Sequence, residues 1–216
     1  MKSESKAKKI GQQAYLLTLL VRRNIKNQYY RSFIGVLWTV LNPLLNMLVM
    51  AFVFSRLFGG DTELDYPLYI LSGNIIFNIM RTSTSGSLPC LVHQRDMLQK
   101  TRVSIALFPT SNVLSSLVTF GFSFIALLVV ALVRFFTGAY AFHWTILLVV
   151  VLIPAVTLFS LGISYFLSAL YVFFRDIEHI YSVILTLWTY LTPLFYTIDR
   201  LNSAPVARVM VFHPMF

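Results

Sequence analysis

The sequence has few charged residues, and this shortage excludes an ordinary water-soluble domain. Charged residues make up 12% of the 216 residues, apolar residues make up 57%, and the mean hydropathy is +0.75. Soluble domains carry about 25% charged residues, so most of this protein's surface must face a solvent other than water. The composition therefore predicts an integral membrane protein.

Cysteine and catalytic motifs are also scarce. The single cysteine, Cys90, excludes an internal disulfide and lies near no metal-ligand cluster, so we interpret it as a small apolar filler. The chain contains no phosphate-binding loop, no HExxH and no GxSxG sequence. The four histidines are scattered over predicted loops and span ends: His93, His143, His179 and His213. We expect no catalytic residue, metal or cofactor in this chain.

Most of the charged residues are basic, and the formal net charge is +9. In a soluble domain this balance would suggest nucleic acid. Here the cations lie at the ends of apolar runs, where anionic lipid and the bias of Lys and Arg toward the cytoplasmic side explain them. We therefore expect membrane lipid, and no nucleic acid, as a partner.

The N-terminal region is a basic amphipathic segment. Between Ile10 and Arg31, apolar residues recur every three or four positions, while Arg22, Arg23 and Lys26 fall largely on the other side. The apolar stripe consists of Ile10, Ala14, Leu17, Val21, Ile25 and Tyr29. This pattern predicts a helix that lies flat in the membrane interface. The apolar run behind it begins too late and is too long for a secretory signal, so residues 1–31 are interpreted as a cytoplasmic N-terminus followed by an interfacial helix.

Uncharged stretches define five predicted membrane spans in an all-α polytopic helical bundle. The first, Ser32–Ser55, holds 24 residues, and a helix of that length exceeds the roughly 30 Å apolar core of a bilayer. The third is expected to follow a re-entry turn at Pro109. The other four predicted spans are Tyr66 to about Leu88, Val113–Val133, Trp144–Tyr171 and His179–Ile198.

Loop charges predict a cytoplasmic N-terminus in the inner (cytoplasmic) membrane. With that orientation, the 17 Lys and Arg residues lie on the inner side with the exception of Arg56, Arg134, Arg200 and Arg208. Five spans leave the C-terminus outside, so we expect a sixth span to be missing from these 216 residues. Residues 32–216 then form one membrane domain that is incomplete at its C-terminus.

Two polar segments lie at the predicted inner face. LVHQRDMLQKTRVS predicts a short helix that ends before Phe108 and Pro109, suited to docking a soluble partner or, alternatively, a plain solvated connector. Arg175, Asp176 and Glu178 lie between the fourth and fifth spans and carry a potential ion pair. Charges so near a bilayer are functional candidates, although they could simply end the fourth helix.

Three ordered motifs resemble a known family. The segment RRNIKNQYYRSFIGVLWTVLNPLLNMLVMAFVFSRLFG resembles the opening of membrane subunits of type 2 ATP-binding-cassette (ABC) exporters that move polysaccharides, O-antigen and teichoic acids. SALYVFFRDIEHI resembles the Arg-Asp junction between the fourth and fifth spans of that family, and YLTPLFY its fifth-span element. The motif residues of the opening are Tyr30, Arg31, Ser32, Ile34, Gly35, Leu37, Trp38, Asn42 and Pro43.

The resemblance implies a permease that works as a homodimer with two copies of a separate ATPase subunit. The inner loop would be the coupling helix, with Arg95, Asp96, Lys100 and Arg102 as coupling residues. A glycan on an undecaprenyl-type lipid carrier would pass outward between the protomers. Separately from the resemblance, we predict that the pair Arg175 and Asp176, together with Glu178, braces the inner gate.

Aromatic residues are the candidates for the glycan path, because sugars offer both apolar faces and hydroxyls. An aromatic belt at the membrane interface would equally explain them. A drug or lipid ABC exporter, or a flippase or scaffold without ATP coupling, remain alternative functions. The candidates for the path are Tyr30, Phe33, Trp38, Trp188, Tyr190, Phe195 and Tyr196.

Overall fold

The protein is an all-α bundle, as predicted. The computed structural model describes residues 2–29, 37–38, 41–42, 44–46, 48–49, 52, 66–100, 103–136 and 148–192, and these residues form helices and short turns without a strand. The described residues between 37 and 52, inside the predicted first span, are all helical. The named helices are α1 (Lys2–Tyr29), α2 (Tyr66–Ser87), α3 (Cys90–His93), α4 (Arg95–Lys100), α5 (Leu107–Phe136), α6 (Leu148–Phe173) and α7 (Ile177–Leu191).

Two of the described helices are long and apolar enough to cross a bilayer on their own, over Leu107–Leu132 of α5 and Val151–Phe173 of α6. Helix α2 is less apolar, and α7 has 15 residues, or about 22 Å of helix. The membrane helical bundle is thus established, while the count of five spans stays a prediction.

Helix α2 lies at the centre of the bundle and packs against α5, α6 and α7. Its Phe77 and Met80 are buried in a cluster with Leu167 of α6 and Leu185 of α7. The sequence marks α2 as the most polar predicted span. Its central position accounts for the buried hydroxyls of Ser83 and Thr84, which meet polar partners on neighbouring helices. Asn78 and Arg81 of the same helix are exposed.

Helix α1 packs on α5, a contact that the sequence did not predict. Leu20, outside the predicted apolar stripe, is 4% exposed and is the most buried described residue of α1. Ala14 of the predicted stripe is exposed, and Leu17 and Val21 line an open apolar groove against α5. The predicted helix is present from Lys2 to Tyr29, and its position in the membrane interface stays a prediction. Its apolar stripe and its packing face overlap only in part.

The expected re-entry turn at Pro109 is wrong. Helix α5 begins at Leu107 and passes through Pro109 without interruption. The turn lies earlier, where Leu107 N donates to Ser104 O at 3.1 Å and Phe108 N donates to Ile105 O at 3.3 Å. Proline is tolerated here because the first N–H groups of a helix have no partner within the helix.

The predicted fifth span, His179–Ile198, is not one uninterrupted helix. Helix α7 begins two residues earlier, at Ile177, and ends at Leu191. Thr192 is extended, with φ −76° and ψ 131°, because it precedes Pro193, which disfavours helical geometry at the preceding residue. The rest of the predicted span lies outside the described residues.

Candidate transport and coupling site

The connector between α2 and α5 is a pair of short helices that turn at Gln94. The backbone N–H of Gln94 donates to Cys90 O at 3.2 Å, and Leu98 N donates to Gln94 O at 3.0 Å. These bonds bridge the break between α3 and α4, so the two helices form a nearly continuous polar element. The sequence prediction of a short helix here is confirmed, with one added bend.

The apolar side of the connector is anchored on the bundle. Cys90 is buried with Leu20 of α1 and Phe108 of α5, and partly buried Met97 and Leu98 of α4 pack against the same cluster. Helices α1 and α5 therefore hold the connector in place. Removing this apolar surface from water or headgroups fixes the direction in which the opposite side points.

The outer side of α4 carries exposed polar residues: Arg95, Asp96, Gln99 and Lys100. Asp96 lies in the first turn and Lys100 in the last, which is the arrangement that the helix dipole favours. Arg102 lies outside the described residues. Helix α4 thus has one apolar side packed on the bundle and one charged side exposed.

Burial of Cys90 suppresses the chemistry of its thiol. Its side chain is 8% exposed, and desolvation raises the pKa of the thiol to about 12. A thiol that stays protonated at neutral pH is a poor nucleophile and a poor metal ligand. Among the residues that the structure describes, no group of three His, Cys, Asp or Glu side chains could hold a metal ion.

The turn between α6 and α7 is the predicted charged junction. Helix α6 ends at Phe173 and α7 begins at Ile177, so Arg175 and Asp176 lie in the turn and are exposed. The structure describes both residues and shows no ion pair between them. The polar contact is instead Tyr171 Oη donating to Glu178 Oε2 at 3.1 Å, which ties the end of α6 to the start of α7.

Buried hydroxyl groups join α2, α5 and α6, and sequence reasoning missed them. We call this contact the serine-rich interface. The hydroxyls of Ser83 and Ser116 are hydrogen-bonded, and Ser164 Oγ donates to Ser83 O at 3.4 Å. The sequence does carry a sign of this contact: Ser160, Ser164 and Ser168 of α6 lie about one helical turn apart, a spacing typical of close helix contacts in membranes. The buried hydroxyl residues of these three helices are Ser83, Thr84, Ser87, Ser111, Ser115, Ser116, Ser123, Ser160, Ser164 and Ser168.

Comparison with known proteins identifies the family. The family model described as "ABC-2 type transporter" matches residues 15–215, which is almost the whole chain. The chain belongs to the ABC-2 type transporter family. It is therefore the membrane subunit, or permease, of an ABC transporter, and the resemblance of its three motifs is confirmed.

Curated relatives agree with the family assignment. The chain is 33% identical over 201 residues to the O-antigen export system permease protein RfbA of Myxococcus xanthus, covering 93% of this chain and 75% of the relative. Two relatives of the same name from Klebsiella pneumoniae are 27% and 26% identical, with the same coverage of both chains. The chain thus spans three quarters of the length of these relatives.

In this ABC-2 permease, the aromatic candidates for the path lie in different environments. Trp188 packs edge to face on Phe159 of α6, with ring centroids 5.9 Å apart and planes at 83°. Tyr190, two residues on, is 67% exposed, and Trp38 is 45% exposed. The structure thus places Trp188 in a helix contact and Tyr190 on an outer face. The other candidates, Tyr30, Phe33, Phe195 and Tyr196, lie outside the described residues.

Proposed function

We propose that this chain is the permease of an exporter that moves a lipid-linked cell-surface glycan of the O-antigen type across the cytoplasmic membrane. The ABC-2 family match carries the proposal, because that family supplies the membrane subunits of ABC transporters. The names of its relatives, O-antigen export permeases, support the substrate class. ATP is hydrolysed in a separate subunit, and this chain itself is not an enzyme.

The proposed arrangement is a homodimer with two copies of the ATPase. Residues 1–31 form the cytoplasmic N-terminus and interfacial helix, and residues 32–216 belong to the membrane domain. The N-terminus and the α3–α4 connector face the cytoplasm. The many Lys and Arg residues that this orientation places inside support it.

The exposed face of α4 is the proposed contact with the ATPase. Arg95, Asp96 and Lys100, together with Arg102, would receive the motion of the ATPase. The buried underside supports this role, because a load applied to α4 is passed to Cys90, Leu20 and Phe108 and so to three helices. Closure of the ATPase would thereby tilt the neighbouring spans and open a lateral path for the lipid-linked glycan.

The proposed inner gate consists of Arg175, Asp176 and Glu178, and the aromatic candidates line the path. Trp38 is 45% exposed and Tyr190 is 67% exposed, so part of each side chain could contact a sugar or the partner protomer. Tyr30, Phe33, Phe195 and Tyr196 are proposed on the family motifs alone. Trp188 packs edge to face against Phe159, so we propose that it positions neighbouring residues of the path and does not itself contact the sugar.

Charge reversal on α4 tests the coupling role. We expect Arg95→Glu with Lys100→Glu to abolish both copurification of the ATPase and export of the glycan to the outer leaflet. The matched control is Gln99→Ala, which changes an exposed residue of the same helix without changing its charge. Unchanged ATPase association and export in the double variant would refute the coupling assignment.

Reconstitution tests the function itself. Purified permease and its ATPase, placed in vesicles with fluorescent lipid-linked glycan, should move the label across the membrane only with ATP. A vesicle with permease alone is the control. Transport by the permease alone would instead identify a flippase without ATP coupling.

A further inference from the structure

Three helices meet at a chain of side-chain amides near the connector. Asn24 Nδ2 of α1 donates to Asn112 Oδ1 of α5 at 2.9 Å, and Asn112 Nδ2 donates to Gly86 O of α2 at 2.9 Å. Asn24 Nδ2 also lies 3.4 Å from Ser111 Oγ. We call Asn24, Asn112 and the Gly86 carbonyl the amide clamp.

The amide clamp fixes the orientation of both asparagines. Asn112 accepts a hydrogen bond at its oxygen and donates one from its nitrogen, so a flipped amide would lose both bonds. The glycine is not required for space, since a Cβ added at Gly86 would lie 4.0 Å from Asn112 Cγ, an ordinary contact. The clamp therefore depends on the two amides and the backbone carbonyl.

The amide clamp lies beside the anchored underside of the connector. Leu20 is one turn before Asn24 on α1, and Phe108 is one turn before Asn112 on α5, and these two apolar residues are buried together with Cys90. Next to Asn24, Arg23 Nη1 donates to Gln94 Oε1 at 3.1 Å, at the bend of the connector. Helix α1 is thus bonded to the connector at one residue and to the α2–α5 pair at the next.

Half-buried polar bonds of this kind resist separation of helices more specifically than apolar contact does. Apolar surfaces can slide over each other with little loss, whereas an amide pair keeps its bonds at one register only. A displacement of the connector must therefore carry α1 along with α2 and α5, as long as the clamp is closed.

We infer that Asn24 and Asn112 are positioning residues for ATP-coupled export: the amide clamp stays closed through the cycle and makes α1 move as one body with the connector and the α2–α5 pair. This inference rests on the proposed function. Without the clamp, part of the motion of the ATPase would be lost as sliding between α1 and α5, so ATP would be hydrolysed with less export.

The test measures glycan exported per ATP hydrolysed in the reconstituted complex. We expect Asn24→Ala and Asn112→Ala each to lower this ratio by about threefold or more, while the ATPase stays bound and active. Asn27→Ala, at an exposed position of α1, and Gly86→Ala, which keeps the carbonyl, are the controls and should keep the normal ratio. An unchanged ratio in both asparagine variants would overturn the inference.

A reversible cross-link separates coupling from folding. In a Cys90→Ala background, itself compared with the natural chain, Asn24→Cys with Asn112→Cys should show the lowered ratio when reduced. Joining the two thiols with a short, reducible bis-thiosulfonate should restore it in the same folded molecules, and reduction should lower it again. A cross-linked complex that still wastes ATP would also overturn the inference. Absence of any export by the unmodified complex would instead refute the proposed function.

Discussion

Tyr181 and Thr84 join two helices of the bundle through a buried hydrogen bond, with Tyr181 Oη donating to Thr84 Oγ1 at 2.7 Å. Thr84 in turn donates to Met80 O of its own helix at 2.7 Å, so the threonine hydroxyl is used in both directions. Tyr181 is 5% exposed, and its ring belongs to the main apolar cluster. The bond sets the position of α7 on the central helix α2.

Removing this hydroxyl should loosen α7. We expect Tyr181→Phe to lower the free energy of unfolding by about 1 kcal/mol, because hydrogen bonds between membrane helices are worth roughly that amount. Unfolding of the purified permease in mixed micelles, followed by circular dichroism, measures the change. The control is Thr186→Ala, an exposed residue of α7 whose hydroxyl bonds only to its own helix. An equal loss of stability in both variants would show that the hydrogen bond between Tyr181 and Thr84 does not stabilise the packing of α7 on α2.

Removing the hydroxyl of Ser160 should not destabilise the permease, although the side chain is buried. Its hydroxyl is fully buried and has no hydrogen-bond partner among the described residues. Because an unpaired buried hydroxyl is costly, Ser160→Ala should leave the permease as stable or raise its stability by up to about 1 kcal/mol. Ser160→Leu should lower its stability by about 1–3 kcal/mol through overpacking.

The melting temperature of the purified permease in detergent checks both changes at Ser160. Ser164→Ala provides the comparison. Because Ser164 Oγ donates a hydrogen bond to Ser83 O, its removal should lower the melting temperature. Marked destabilisation by Ser160→Ala would show that its hydroxyl has a partner after all.

Burial of Cys90 should make both the reactivity of its thiol and the stability of the permease depend on pH. The unfolded thiol has the ordinary pKa of 9.0, whereas burial raises the pKa in the folded chain to about 12. The folded state therefore holds its proton longer, so this contribution to stability is complete below pH 9 and is lost as the pH rises toward 12. Cys90→Ala should remove that decline.

Thiol labelling measures the same effect directly. At pH 8, the native permease should react slowly with a maleimide, and the same protein denatured in detergent should react quickly, because only the thiolate attacks. Rapid labelling of the native protein would contradict the burial of Cys90 between the connector and helices α1 and α5.

The charged turn between α6 and α7 predicts a change in export without a change in folding. Asp176 is exposed and lies in a turn of three residues, so Asp176→Asn should leave expression and membrane insertion intact. If the turn braces the inner gate, export should fall several-fold. Ser182→Ala, an exposed residue of α7, is the control in the same reconstituted assay. Normal export by Asp176→Asn would remove that residue from the gate.

The sequence predicted those parts of the fold that depend on charge and on local geometry. The α6–α7 turn at Arg175 and Asp176 was predicted because charges avoid the apolar core of a bilayer. Pro109 was misread because proline ends a helix in its interior but fits its first turn, and only the hydrogen bonds of Ser104 and Ile105 show which case applies.

The candidate site was predictable only in outline. The charged outer face of α4 follows from its sequence RDMLQK, in which only Met97 and Leu98 are apolar. The amide clamp was not predictable, because Asn24 and Asn112 are 88 residues apart and only the packing of α1 on α5 brings them together. Leu20 was missed for the same reason, since hydrophobic periodicity does not tell which apolar side of a helix meets protein and which meets lipid.

Three serines of α6 form a row of small side chains along one side of the helix. Ser160, Ser164 and Ser168 are spaced by four residues, close to one helical turn, and all three are buried. Small residues let two helix backbones approach closely, and α6 packs against α2. The size of these three side chains therefore sets the width of the gap between the two helices, and enlarging any one of them would widen it.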